Sequence, residues 1–236
     1  MDKELRKSQL LVLKAFAVSP QGFALAGGTA LELFYLHHRF SADLDFFSPD
    51  YSPEKIEKIV KNIEKTGKGK INFESEIELP DRAKVRFYSF TVKGAARNLK
   101  IDFVEETLIK KPGIKCFTGI PVYDARDIYY QKISAIAGTG EHKDEFNRDM
   151  QSGRNQPRDV FDVYWLSRKI MPLSLFLVKL PAGMQRRIVH WYRNFSRQEL
   201  KLGLLDMDIY DRGFDAREMV IYIEKEIKDF ITKVVE

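Results

Sequence analysis

The chain has 236 residues, 44% hydrophobic and 12% aromatic, which suits one large domain or two small ones and excludes disordered, collagenous and coiled-coil chains. Its 39 basic and 34 acidic residues leave a net charge of +5 and a pI near 9.1, a balance that permits an anionic partner without demanding one. The single cysteine, Cys116, excludes an intramolecular disulfide framework and a Cys-rich zinc site, and fits a reducing compartment.

The N-terminus carries no apolar run of the signal-peptide kind. The longest apolar stretches, such as Leu173 to Val178, fall far below the roughly 18 residues that span a bilayer. The expectation is a soluble cytoplasmic protein with no membrane partner. Residues 2–18 read as a helix through Leu5, Leu10, Leu13 and Phe16, stopped at Ser19-Pro20-Gln21-Gly22. Phe23 to Ala26 reads as a buried strand entering a Gly27-Gly28-Thr29 turn, with a helix from about Thr29 to His38. Ser41 to Phe47 reads as a strand, and Ser52-Pro53 caps and opens a helix with Ile56, Val60 and Ile63 as its stripe.

After a Gly/Lys turn at 65–70, period-two patterning predicts three strands. The first carries Ile71, Phe73, Ile77 and Leu79, the second is 84–92, and the third is 98–104. From about residue 124 the pattern turns helical. Helices are expected at 125–137, 158–170, 174–179, 183–195 and from Asp215 to the end, and 139–157 reads as a long polar loop. The fold class is therefore α+β: a mixed sheet with flanking helices over 1–124, followed by a helical domain over 125–236.

The strongest chemical signal is Asp43-Leu44-Asp45. On a strand the two carboxylates share a face roughly 7 Å apart. Held beside a core, they repel each other and resist desolvation, so such a pair usually has a cation between its members. Hard Mg²⁺ or Mn²⁺ suits oxygen ligands. Alone, D-x-D is equally an acidic outer face. Upstream, Gly27-Gly28-Thr29 sits between a strand and a helix, where glycines admit a close backbone approach and a helix N-terminus offers N–H groups to phosphate. Asp102, in phase opposite Leu99, Ile101 and Phe103, adds a third acid. If its strand lies beside that of Asp43, all three converge and can serve metal ions.

These residues, Gly27-Gly28-Thr29 followed by Arg39-x-Ser41-x-Asp43-Leu44-Asp45-Phe46-Phe47, resemble the signature of the AbiEii/AbiGii toxin-type nucleotidyltransferases of the DNA polymerase β-like superfamily. The resemblance continues through Lys132 and through Arg158-Asp159-Val160-Phe161-Asp162, and covers about residues 23–166. It implies an NTP-dependent, Mg²⁺-dependent nucleotidyltransferase with a nucleotidyltransferase-type N-terminal sheet. In that reading Gly27, Gly28 and Thr29 hold phosphates, with Arg39, Ser41 and Arg158 as further nucleotide contacts. Asp43 and Asp45 hold metal with Asp102 as the third acid, Lys132 reaches the triphosphate, and Asp159 fixes the lysine or the nucleotide. Asp162 shares the helix face of Asp159. The resemblance also implies a toxin with a cognate antitoxin and an RNA acceptor such as tRNA, or a protein. The alternative is a non-catalytic nucleotide-binding module. Residues 179–201 carry six basic residues against one acid, interleaved with Trp191, Tyr192 and Phe195, and are where RNA would bind if RNA is the acceptor. The same mix suits an ordinary amphipathic helix with its aromatics inward.

Overall fold

The computed structural model describes residues 2–67, 69–79, 83–138, 142–143, 149–150, 153–154 and 156–235. They form two compact units, Met1–Ile128 and Tyr129–Glu236.

The first unit is built on a seven-stranded mixed sheet. Its strands are β1 (Ala24–Ala26), β2 (Leu44–Ser48), β3 (Ile71–Ile77), β4 (Val85–Phe90), β5 (Leu99–Glu105), β6 (Ile114–Phe117) and β7 (Ile120–Tyr123), in the order β3-β4-β5-β2-β1-β7-β6. β2 runs antiparallel to β1 and parallel to β5, and β1 runs parallel to β7. Along β2, burial alternates: Leu44, Phe46 and Ser48 are buried and Asp45 and Phe47 are less so. One face thus joins the core, where Phe46 stacks on Phe16 at 4.1 Å and on Phe103 at 5.4 Å. Helices α1 (Lys3–Val18) and α3 (Pro53–Gly67) supply Leu13, Phe16, Ile56, Ile59 and Ile63 to that core.

Three local expectations are corrected. Leu10 is not on the buried stripe of α1 (43% exposed); Gln9 is, fully buried, because its amide reaches Ser41 O at 2.8 Å. The helix expected from Thr29 begins at Gly27 as α2 (Gly27–Ala30) and widens into a π-helix over Leu31–Leu36, ending at His37 in a left-handed conformation (φ 51°). β2 begins at Leu44 rather than Ser41, since side chains and not a neighbouring strand take the backbone groups of residues 41–43. The β6–β7 hairpin has no counterpart in the sequence reading.

The second unit holds α5 (Pro157–Lys169), α6 (Leu173–Val178), α7 (Ala182–Asn194), α8 (Arg197–Leu205) and α9 (Ala216–Val235), with the main part of α4 (Ala125–Ala137). Tyr129 stacks on Phe176 at 4.1 Å, and Phe161 meets Phe214 edge-on at 5.0 Å. Glu226 of α9, buried, accepts from the Ser174 N–H at 2.8 Å and so caps α6. α8 is an addition to the sequence reading. Most of the expected loop 139–157 lies outside the described residues, but β8 (His142–Lys143) and β9 (Asp149–Met150) pair there as a short antiparallel ladder. No described helix is long and apolar enough to cross a membrane.

Candidate active site

In the first unit, three neighbouring strands bring the acids and the glycine turn together. Asp45 is paired with Asp102 across the parallel β2–β5 ladder and with Ala26 across β1. Paired residues on adjacent strands lie about 4.8 Å apart and on one face, here the face opposite Phe46 and Phe103. A methyl group built on Gly27 would collide with Asp45 Oδ2, so the turn lies against the carboxylate with nothing between them. Gly27 is also in the left-handed region (φ 67°), as glycine favours. A methyl on Gly28 would come within 2.6 Å of Arg39 Nη2 and 2.7 Å of Ser41 Oγ. The helix N-cap, Ala26, has no side chain to satisfy the first-turn N–H groups. Gly27→Ala is therefore expected to cost about 1–3 kcal/mol of stability and to weaken Mn²⁺ binding at least about tenfold by displacing Asp45. Thermal melts and a Mn²⁺ titration check both.

Asp43 sits one residue before β2, on a segment clamped by buried side chains. Thr29, fully buried, donates its hydroxyl to the carbonyl of Asp43 and, at 3.3 Å, to that of Ser41. Glu32 accepts from the Ser41 N–H at 2.8 Å and from Arg6, and Gln9 donates to the Ser41 carbonyl. Thr29 thus holds the acid-bearing loop rather than presenting its hydroxyl to solvent. Arg39 is 5% exposed, with Nη1 on Phe40 O at 3.2 Å. Gln9, Glu32 and Arg6 escaped the sequence reading. Glu32, a lone carboxylate inside Leu31-Glu32-Leu33-Phe34, was the available signal.

Asp102 is 8% exposed, and its Oδ1 is buried without a hydrogen-bond partner. Its Oδ2 meets Lys100 Nζ at 3.1 Å. Burial first, then the Asp45 and Asp43 carboxylates, push its pKa up to about 6 from an ordinary 3.8, against the pull of Lys100. That span corresponds to at most roughly 3 kcal/mol. Since the folded value is the higher, the fold is favoured while Asp102 is protonated, and this contribution is lost as pH rises from about 4 through 6. Asp102→Asn is expected to melt at a higher temperature than the wild type without metal, by a margin that grows between pH 4 and pH 7. A pH-independent margin would refute the placement.

The donor set, carboxylates with one orphaned buried oxygen, has the chemistry of a hard-cation site. Among the described residues, no three carboxylate, imidazole or thiol groups already surround one point. Mg²⁺ usually takes only one or two protein carboxylates and fills its octahedron with water and phosphate oxygens, so the acids fit it as they stand.

In the second unit, Lys132 Nζ lies 2.6 Å from Asp159 Oδ1 and 2.7 Å from Asp162 Oδ2. Both aspartates are fully buried and Lys132 is 7% exposed. They come from one face of α5 at i and i+3. Arg154 Nε adds a contact to Asp159 Oδ2 at 3.0 Å. Asp159 therefore fixes the lysine, and Asp162, the weaker candidate in the sequence, does so equally. Arg158 is exposed at the start of α5.

In segment 179–201 the aromatics Trp191 and Phe195 take the inward placement of an ordinary amphipathic helix. Trp191 and Phe195 stack on each other at 4.5 Å and are buried, at 3% and 6% exposure. Arg187 turns inward to Gly138 O at 3.1 Å, and Arg197 lies over Tyr192 and Phe195. The segment keeps cations but offers no platform for stacking bases from Trp191 or Phe195.

The fold is that of nucleotidyltransferases. The crystal structure of a candidate nucleotidyltransferase from H. pylori matches with a TM-score of 0.60 and 18% identity, over 97% of this chain and 95% of that one. JHP933 from Helicobacter pylori matches with a TM-score of 0.59 and 18% identity, over 97% and 93%. The family model described as "Nucleotidyl transferase AbiEii toxin, Type IV TA system" matches residues 11–228, so the chain belongs to the AbiEii nucleotidyltransferase toxin family. No curated protein matches it.

Proposed function

We propose that this nucleotidyltransferase moves a nucleotidyl group from an NTP to an RNA acceptor in the cytoplasm, with Mg²⁺ or Mn²⁺ bound by Asp43 and Asp45 and with Asp102 beside them. The observation that carries the reading is the buried, unpartnered oxygen of Asp102 in register with Asp45, against the Gly27 turn. Bound metal would supply charge neutralisation at the α-phosphate and activation of the attacking hydroxyl. The first-turn N–H groups after the Gly27-Gly28 turn, which no N-cap side chain takes, would serve the phosphate oxygens. Arg39 and Ser41 stand against Gly28 and flank that turn. Thr29, Glu32 and Gln9 hold the loop so that Asp43 need not reorganise during the reaction. Asp102 would complete the metal shell or, as a carboxylate, take the acceptor hydroxyl's proton while pyrophosphate leaves. In the second unit, Lys132 is held in place by Asp159 and Asp162, and the resemblance makes Lys132 and Arg158 the cationic contacts to the nucleotide. The family also supports a cognate antitoxin as partner.

The test mixes purified protein with Mg²⁺, each α-labelled NTP in turn and total cellular RNA, beside the Asp43→Asn/Asp45→Asn variant. Label entering RNA with the wild type alone supports the reading and names nucleotide and acceptor. Nucleotide binding with no transfer to RNA, protein or small molecules would leave a nucleotide-binding module in its place.

A further inference from the structure

The second unit carries a feature that the transfer chemistry does not use. Between α7 and α9 runs a groove of about 360 Å³. Arg186, His190 and Arg193 of α7 border it at i, i+4 and i+7, one stripe two turns long. Val189, Ile231 and Val234 give it an aliphatic lining, and Val234 is 52% exposed. Among the described residues, no carboxylate lines it. Arg186 and Arg193 are exposed and form no ion pair among the described residues. Of the acids on α9, Glu224 pairs with Lys228 at 2.9 Å and Glu226 accepts from the Ser174 N–H, and Asp229, beside Phe230, is not among the residues that line the groove.

Two exposed arginines, Arg186 and Arg193, beside exposed aliphatic side chains repel like charges and leave apolar surface wet, so the complement is both anionic and apolar. Nucleic acid satisfies only the first property here. Trp191 and Phe195, which could stack on bases, are packed against each other. An amphipathic helix satisfies both, laying apolar side chains into the groove and acidic ones against the arginines. We propose that the α7–α9 groove is a docking site for an acidic amphipathic helix of a partner protein, with aliphatic residues at i, i+4 and i+7 flanked by Asp or Glu. Two turns of such a helix match the length of the cationic stripe.

The test uses the full chain and fluorescence anisotropy at physiological salt. The probes are a labelled 16-residue Ala-based helical peptide with Leu at i, i+4 and i+7 and Glu at the positions flanking them, its Lys-for-Glu counterpart, and a 12-nucleotide single-stranded RNA. The Glu peptide is expected to bind most tightly, and to lose about tenfold or more with Arg186→Glu/Arg193→Glu and again with Val234→Asp. Val234 is half-exposed, so its change leaves the fold intact, which a melt confirms. Equal binding of the two peptides overturns the proposal. So does RNA binding that the arginine change abolishes and Val234→Asp leaves untouched, which would mark a phosphate surface. Absence of peptide binding below 1 mM overturns it as well.

Discussion

Replacing Asp45 with asparagine is expected to reduce nucleotidyl transfer about a thousandfold, equivalent to roughly 4 kcal/mol of transition-state stabilisation, while leaving the protein as stable as before or more so. The asparagine keeps the side chain's shape between the Gly27 turn and Asp102, so packing is preserved. It removes one of the negative charges that hold the Asp102 carboxyl above its ordinary range. Relieved repulsion raises or preserves the melting temperature, and loss of a hard oxygen ligand removes activity. The two effects have opposite signs, and that opposition separates a metal-binding acid from a structural one. Melts without metal, a Mn²⁺ titration and kcat/KM on the labelled acceptor measure them together. A variant within tenfold of wild-type activity, or one that unfolds, would remove Asp45 from the site.

Lys132→Met is expected to have the largest effect on stability, a loss of about 3–5 kcal/mol. The methionine fills the volume of the lysine stem but leaves Asp159 and Asp162 buried with no ammonium between them. Arg154, whose side chain is 56% exposed, is too solvated to compensate. Adding Asp162→Asn to Lys132→Met removes one of the stranded charges and should restore more than half of the loss, a coupling that a double-mutant cycle in urea measures directly. If the two changes are simply additive, the ammonium does not bridge the two carboxylates.

The parts of the molecule legible in the sequence are those written in local patterns. The alternation of Leu99, Ile101 and Phe103 against Lys100 and Asp102 marks β5 and the face of its acid, and the stripe of Met219, Ile223, Ile227 and Phe230 marks α9. Illegible were features set by partners distant in the chain. Whether Asp102 meets Asp45 depends on β5 pairing with β2, which residues 99–105 do not encode locally. The β6–β7 hairpin is obscured because Pro121 sits in a strand position and its turn uses Thr118 in a left-handed conformation ahead of Gly119. The clamp on Ser41 draws on Gln9 and Glu32, residues with no short-range reason to be buried. In the basic segment 179–201, composition leaves open whether Trp191 and Phe195 face solvent or the core, and their mutual stacking in buried positions decides it.

The strand order has a consequence for how this chain is made. β2 can pair with β1 soon after both leave the ribosome, since they are close in sequence, but its other neighbour, β5, ends at Glu105, and β1 gains its second neighbour only when β7, ending at Tyr123, has been synthesised. Non-local and parallel pairings close slowly. Asp45 therefore waits through more than fifty residues of translation for Asp102, and β1 stays open on one side until the hairpin arrives. A nascent or truncated chain ending before Asp102 holds the Asp43-Leu44-Asp45 motif without the neighbouring acid, and one ending before α5 also lacks Asp159 and Asp162 beside Lys132, so the residues that the proposed function needs are complete only once α5 has been made.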